Sequence, residues 1–155
     1  MYSTVRASTV VDVPVPVAYD QWTQFEDFPD FMTAVESIEQ TTAERTRWRV
    51  EIGGVRREFT ATVVDQVPDD HITWRSVDEE VHAGTVRFTV DPSGGTRVSL
   101  EMSWRPETFS ERAGAALGID DAMVRRDLEN FKRFIETHHP TGAWRGEIHG
   151  GEQTD

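Results

Sequence analysis

Cysteine is absent from the 155-residue chain, which excludes a disulfide framework, a thiolate zinc site, an iron–sulfur cluster and a cysteine nucleophile together. Lysine is nearly absent too. Lys and Arg total 16 and Lys132 is the one lysine, leaving 15 arginines. A GC-rich coding sequence produces this bias, and arginine forks aimed at carboxylates or phosphates are the functional alternative. Positive charge as a whole is scarce: 28 acidic residues leave the chain at net −12. A phosphate backbone needs clustered cations, so no nucleic acid is expected as a partner. No apolar run approaches the roughly 18 residues of a membrane-spanning helix. The opening MYSTVRASTVVDV lacks a basic segment followed by an apolar block, so no secretory signal is expected and the expected location is cytoplasmic. The five histidines, His71, His82, His138, His139 and His149, form no i, i+4 pair and no HExxH motif, so no metal is expected. No glycine-rich loop follows a strand in phosphate-binding fashion, so no nucleotide or other cofactor is expected.

What is present is globular: 37% hydrophobic and 28% charged residues in one domain-sized chain. Ser3–Val13 reads as a strand ended by Pro14 and Pro16, and Pro16 can open a short helix through Trp22. A second short helix is predicted around Phe28–Met32. Trp22, Phe25, Phe28 and Phe31 fall three apart and form a stripe. The period then becomes two. Strands are predicted over Val35–Glu39, Arg45–Ile52, Val55–Asp65, His71–Val77, Val81–Val90 and Thr96–Trp104, in antiparallel hairpins because no crossover helices separate them. Gly84, Val86, Phe88 and Val90 are predicted to share one face. Thr108–Glu111 matches a capping box, and Asp120 can cap a fresh helix. Val124, Leu128, Phe131 and Ile135 then give one apolar helical face, with Glu129 and Lys132 in water. Residues 1–139 are expected to be the single domain, and 140–155 a polar tail.

This order of elements resembles the helix-grip fold of the START-like superfamily, in its bacterial polyketide cyclase/dehydrase, lipid-transport and coenzyme-Q-binding-like branch. The resemblance spans about Ser3–Glu136. It rests on Val13-Pro14-Val15-Pro16 before Trp22, Phe25–Met32, Gln66-Val67-Pro68 leading to Ile72-Thr73-Trp74, Gly84–Phe88, Thr96-Arg97-Val98 and Asp127–Glu136. It implies an α+β helix-grip fold. Two short helices follow the first strand, and a seven-stranded curved antiparallel sheet wraps a long C-terminal helix around a cavity for an apolar or aromatic molecule.

Ligand-lining candidates on the inner faces are Trp48, Phe59, Trp74, Ser76, Phe88, Met102 and Trp104, with Val124 and Leu128 from the helix; a filled core is the alternative reading. Catalysis has no recognisable set of residues. Arg57 shares parity with Phe59 and can stabilise developing negative charge if it turns inward rather than to solvent. His82 is a base only if it lies inside, not among Asp78-Glu79-Glu80 at the surface. Thr85 is a further candidate inner polar group. The pairs Asp69-Asp70, Glu79-Glu80 and Asp120-Asp121 read as turn and cap chemistry. The aromatase/cyclases of the superfamily carry an arginine late in the strand equivalent to Val55–Asp65 and a tyrosine after the second short helix. This chain has Ala61 and Val63, and Thr33-Ala34-Val35, in those places. The expected function is therefore binding of a hydrophobic small molecule (lipid, quinone or polyketide-like) as a carrier or sensor. A cyclase/dehydratase, or a dimeric accessory protein docking a partner in its apolar groove, are the alternatives. Monomer and homodimer both remain open. Trp74 is expected to border ligand or empty space, so its truncation should cost less stability than that of Phe131.

Overall fold

The computed structural model describes residues 3–42, 44–52, 55–77, 82–104, 121–137 and 146–154. β1 (Ser3–Val11) leads into α1 (Val15–Trp22) and a 3₁₀ turn (Phe25–Asp30). Pro16 sits in the first turn of α1, where its missing N–H costs nothing. The three-residue spacing of the aromatics suits a 3₁₀ turn, in which side chains at i and i+3 eclipse. Trp22 meets Phe28 and Phe31 edge-on at ring-centroid distances of 5.1 and 5.4 Å.

Six antiparallel strands follow: β2 (Val35–Gln40), β3 (Arg45–Ile52), β4 (Val55–Val67), β5 (His71–Ser76), β6 (His82–Val90) and β7 (Thr96–Trp104). The sheet order is β1-β7-β6-β5-β4-β3-β2, so β1 closes onto the last strand of the meander. α2 (Asp121–Thr137) lies along β1. Val124, Leu128, Phe131 and Ile135 are buried on α2 while Glu129 is exposed, as the apolar spacing requires. Thr9 Oγ1 donates to Glu129 (3.1 Å) and the Asp12 N–H to Glu136 (2.9 Å), tying α2 to the β1 side. The result is the helix-grip α+β fold: a curled antiparallel sheet closed by a C-terminal helix.

Alternation along the strands sets the concave face. The chain departs from simple alternation at two points. Val90 is 77% exposed, because beside the Asp91–Gly95 turn the strand has left the concave surface. In β4 a register shift between Val63 and Asp65 brings Gln66 inward, opposite Ile72. Thr85 lies on the convex face, where its hydroxyl pairs with that of Thr73 at 3.0 Å, and is not an inner polar group.

The chain beyond Pro140, expected as a polar tail, contains a hairpin of β8 (Glu147–His149) and β9 (Glu152–Thr154). β4 outruns the start of β3, which pairs Arg45 with Thr62 and leaves an edge at the far end of β4. β8 takes that edge through Gln66 and Ile148, and the Gly151 N–H donates to Val64 O at 2.8 Å. Ile148 is fully buried there. Gly150 and Gly151 both have positive φ (60° and 84°), which the two-residue turn demands. The Thr108–Glu111 capping box, the Asp120 cap, Glu79-Glu80, His138-His139 and Trp144 lie outside the described residues.

Candidate functional site

The concave face is apolar and aromatic, as the inner-face pattern predicts. Trp48, Trp74, Phe88, Met102, Val124 and Leu128 are each 3% exposed or less. The side chain of Trp104 lies outside the described residues. Around Trp74 the packing is close. Its indole stacks on Trp22 and Trp48 at centroid distances of 6.3 and 6.2 Å and meets Phe28 at 5.9 Å. A Cβ on Gly84, its neighbour across the ladder, would lie 2.4 Å from Trp74 Cζ2, so only glycine lets the ring lie flat there. Trp74 is thus surrounded by aromatic rings rather than facing open space, which revises the expectation drawn from sequence. The aromatic stripe from α1 and the 3₁₀ turn reaches down into the deep end of the sheet and fills it.

Exposure rises toward the other end. Trp48 and Ala61 are fully buried, whereas Phe59 and Ser76 each keep 7% exposure and Arg57 is half-buried on the same face. These three stand at the ends of β4 and β5. They form the rim at which the concave face approaches solvent.

Two titratable groups occupy the concave face of the sheet among the described residues, Arg57 and His82. His82 is fully buried, not a surface histidine in an acidic field. Its Nδ1–H donates to Ser103 O at 3.1 Å, and its Nε2 accepts from the Trp74 indole N–H at 2.9 Å. A carbonyl can only accept and an indole N–H can only donate, so the tautomer is fixed. Burial, partly opposed by the Ser103 bond, pushes the imidazole down to about 3. His82 is therefore neutral with both ring nitrogens engaged, and does not offer a lone pair to a substrate. Its backbone N–H donates to Ser76 Oγ at 3.3 Å, joining the rim to this network. Trp48 similarly gives its N–H to Thr46 Oγ1 at 2.7 Å.

A further buried ionisable group, on α2, is not among the sequence candidates. Asp127 of α2 accepts from both the N–H and the hydroxyl of Thr33, each at 3.2 Å, and burial raises its carboxyl to about 6 against those two bonds. Asn130 Nδ2 donates to Phe31 O at 3.3 Å one turn on. Together they anchor α2 to the loop after the 3₁₀ turn. The signal is a polar residue inside the apolar series, three residues after Val124 and directly before Leu128, on the helix's own buried face.

Two of the remaining candidates serve local structure. Asp69 takes positive φ (64°) in the β4–β5 turn, and His149 pairs with Glu147 at 2.9 Å in the hairpin. Among the described residues no group of three or more His, Asp or Glu is placed to hold a metal ion, and no helix is long and apolar enough to cross a membrane.

Comparison with known proteins agrees with this architecture. The model of the polyketide cyclase/dehydrase and lipid transport family matches residues 11–135. An uncharacterised 17.2 kDa protein of Streptomyces lincolnensis is 43% identical over 148 residues, 94% of this chain and 99% of that one. A crystal structure from Deinococcus radiodurans superposes with a TM-score of 0.72 at 26% identity, over 87% of this chain and 98% of the other. The Zhui aromatase/cyclase from a Streptomyces species superposes with a TM-score of 0.57 at 14% identity over 88% of each chain, a likeness of fold alone. The chain belongs to the polyketide cyclase/dehydrase and lipid transport family.

Proposed function

We propose that the protein binds a hydrophobic or aromatic small molecule on the concave face of its sheet, as a carrier or sensor. The observation that carries this reading is the chemistry of that face: aromatic and aliphatic side chains, with its one described imidazole neutral and bonded at both nitrogens. Such a surface gains free energy by taking apolar area out of water, at about 25 cal/mol per Å², and its described imidazole has no ring nitrogen left to take a substrate proton. The ligand enters at the rim of Arg57, Phe59 and Ser76. Trp48 and His82 form the wall behind, and the close-packed cluster of Trp22, Phe28, Trp74 and Phe131 the floor.

The half-buried Arg57 is the one feature that favours the cyclase/dehydratase alternative, since a guanidinium at a cavity mouth can stabilise an enolate or steer a carboxylate. As part of a binding site it selects ligands with a polar or anionic end. Titration with the fluorescent apolar probe N-phenyl-1-naphthylamine tests the reading. Saturable enhancement is expected, and Ser76→Trp, which fills the rim, should abolish it while leaving the fold intact. Absence of saturable binding, or binding unaffected by Ser76→Trp, contradicts it.

A further inference from the structure

The C-terminal hairpin returns to the sheet at one place. Past Val63, whose N–H donates to Glu44 O at 2.7 Å, β4 runs on without β3. An open edge of this kind is a template for an added strand. On the side that β3 has left, Val64 O accepts the Gly151 N–H (2.8 Å) and Gln66 pairs with Ile148. The hairpin holds this edge by little. β8 is three residues long, exposed, buried and exposed in turn, so Ile148 alone of them enters the core. β9 pairs with β8 and, among the described residues, with no other strand. The ion pair of His149 with Glu147 lies within the hairpin, where it adds nothing to docking. The Gly150 N–H reaches Asp65 Oδ1 only at a long 3.4 Å. A two-stranded hairpin is marginal by itself in water. A segment held by one buried side chain and a few backbone bonds opens at lower cost than the body of the sheet. Residues 138–146 connect α2 to β8, enough chain for the hairpin to leave while α2 stays in place.

We propose that this stretch of β4 is a docking site for an extended peptide, with the chain's own C-terminal hairpin as its resident, releasable ligand. Backbone pairing at Val64 and Gln66 supplies the affinity and the socket of Ile148 the selectivity, the division of labour found in strand addition. The chemistry that fits is a short strand with one aliphatic side chain between polar neighbours, the pattern of Glu147-Ile148-His149. Docked, the hairpin keeps the β4 edge from pairing with other chains. Released, it leaves a site that a competing strand of the same pattern fills.

Fluorescence anisotropy of a labelled peptide of residues 146–155 tests this, titrated with the full chain carrying Ile148→Asp, which releases the hairpin without shortening the protein. Saturable binding is expected. The wild-type chain should bind the peptide at least about tenfold more weakly, because its own tethered hairpin competes at a high effective concentration. A peptide carrying Ile148→Asp should bind neither chain. Hydrogen exchange on the wild-type chain supplies a second readout that needs no variant. The Gly151 N–H should exchange at least about tenfold faster than the Phe88 N–H, which donates to Asp70 O (2.9 Å) within the same sheet. Failure of the Ile148→Asp chain to bind the peptide overturns the proposal, as does equal binding of the two peptides or equal binding by the two chains. Protection of Gly151 equal to that of Phe88 overturns it as well. So does an Ile148→Asp chain that is unfolded by circular dichroism, since a releasable hairpin can be lost without unfolding the domain.

Discussion

The indole N–H of Trp74 donates to Nε2 of His82 across 2.9 Å inside the sheet, and the opposite ring nitrogen of His82 is held by Ser103 O at 3.1 Å. This pairing makes the imidazole a structural acceptor, and it gives the protein's acid stability a specific origin. The unfolded chain protonates His82 as pH falls through its ordinary 6.5, while the folded chain resists until about 3. Between those values the unfolded state binds more protons. The contribution of His82 to stability is therefore fully present above 6.5 and lost progressively as pH falls towards 3. Urea midpoints of wild type and His82→Gln should differ most at about pH 7 and converge at about pH 4. Parallel profiles would show that His82 does not titrate on unfolding.

Asp127 acts in the opposite sense. Its folded carboxyl is raised from 3.8 to about 6, so its contribution is fully present below 3.8 and is lost as pH rises through 6. Asp127→Asn keeps an acceptor for Thr33 and removes the charge. It should be more stable than wild type at about pH 7.5 and lose that advantage at about pH 4. A variant less stable than wild type at both values would mean that the carboxylate is needed ionised.

Gly84→Ala places a methyl group 2.4 Å from the Trp74 ring. Overpacking of this kind costs roughly 1–3 kcal/mol. The paired change Trp74→Phe, with a smaller ring, should recover part of that loss in the Gly84→Ala background, a coupling that a double-mutant cycle reads directly. Additive losses would show that the ring moves aside freely.

Phe131 is fully buried on α2 and meets Trp22 and Phe31, each at a centroid distance of 5.1 Å. Phe131→Ala should cost about 3–5 kcal/mol in chemical denaturation. Trp74→Ala should cost a comparable amount, since it empties a packed site and strips His82 Nε2 of its donor. A distinctly smaller loss at Trp74 would restore the sequence-based picture of a ring beside open space.

The elements were legible in sequence because both periods were strong. Period-two alternation from Arg45 to Trp104, and the i, i+4 series Val124–Ile135, dictate a meander and a gripping helix with few alternatives. Phe59 and Ser76 follow parity alone onto the buried face. Parity could not show how full that face is. The filling of its deep end depends on Trp22 and the 3₁₀ turn reaching across the fold, a long-range contact with no local signature. The same limit hid the His82 pairing, since residues 74, 82 and 103 meet only through strand register. The hairpin after residue 146 was misjudged because its polar, glycine-rich composition says tail. The edge it fills exists only because β4 outruns β3, a difference in strand length that no single segment reveals.

The central claim, an apolar ligand on the concave face, is tested most directly by native mass spectrometry of the full chain purified from its source without organic solvent. The account predicts a noncovalent adduct of small-molecule mass that disappears on denaturation and is lost from a Ser76→Trp variant that remains folded. A chain that repeatedly shows only its own mass, or an adduct undiminished by Ser76→Trp, would contradict it.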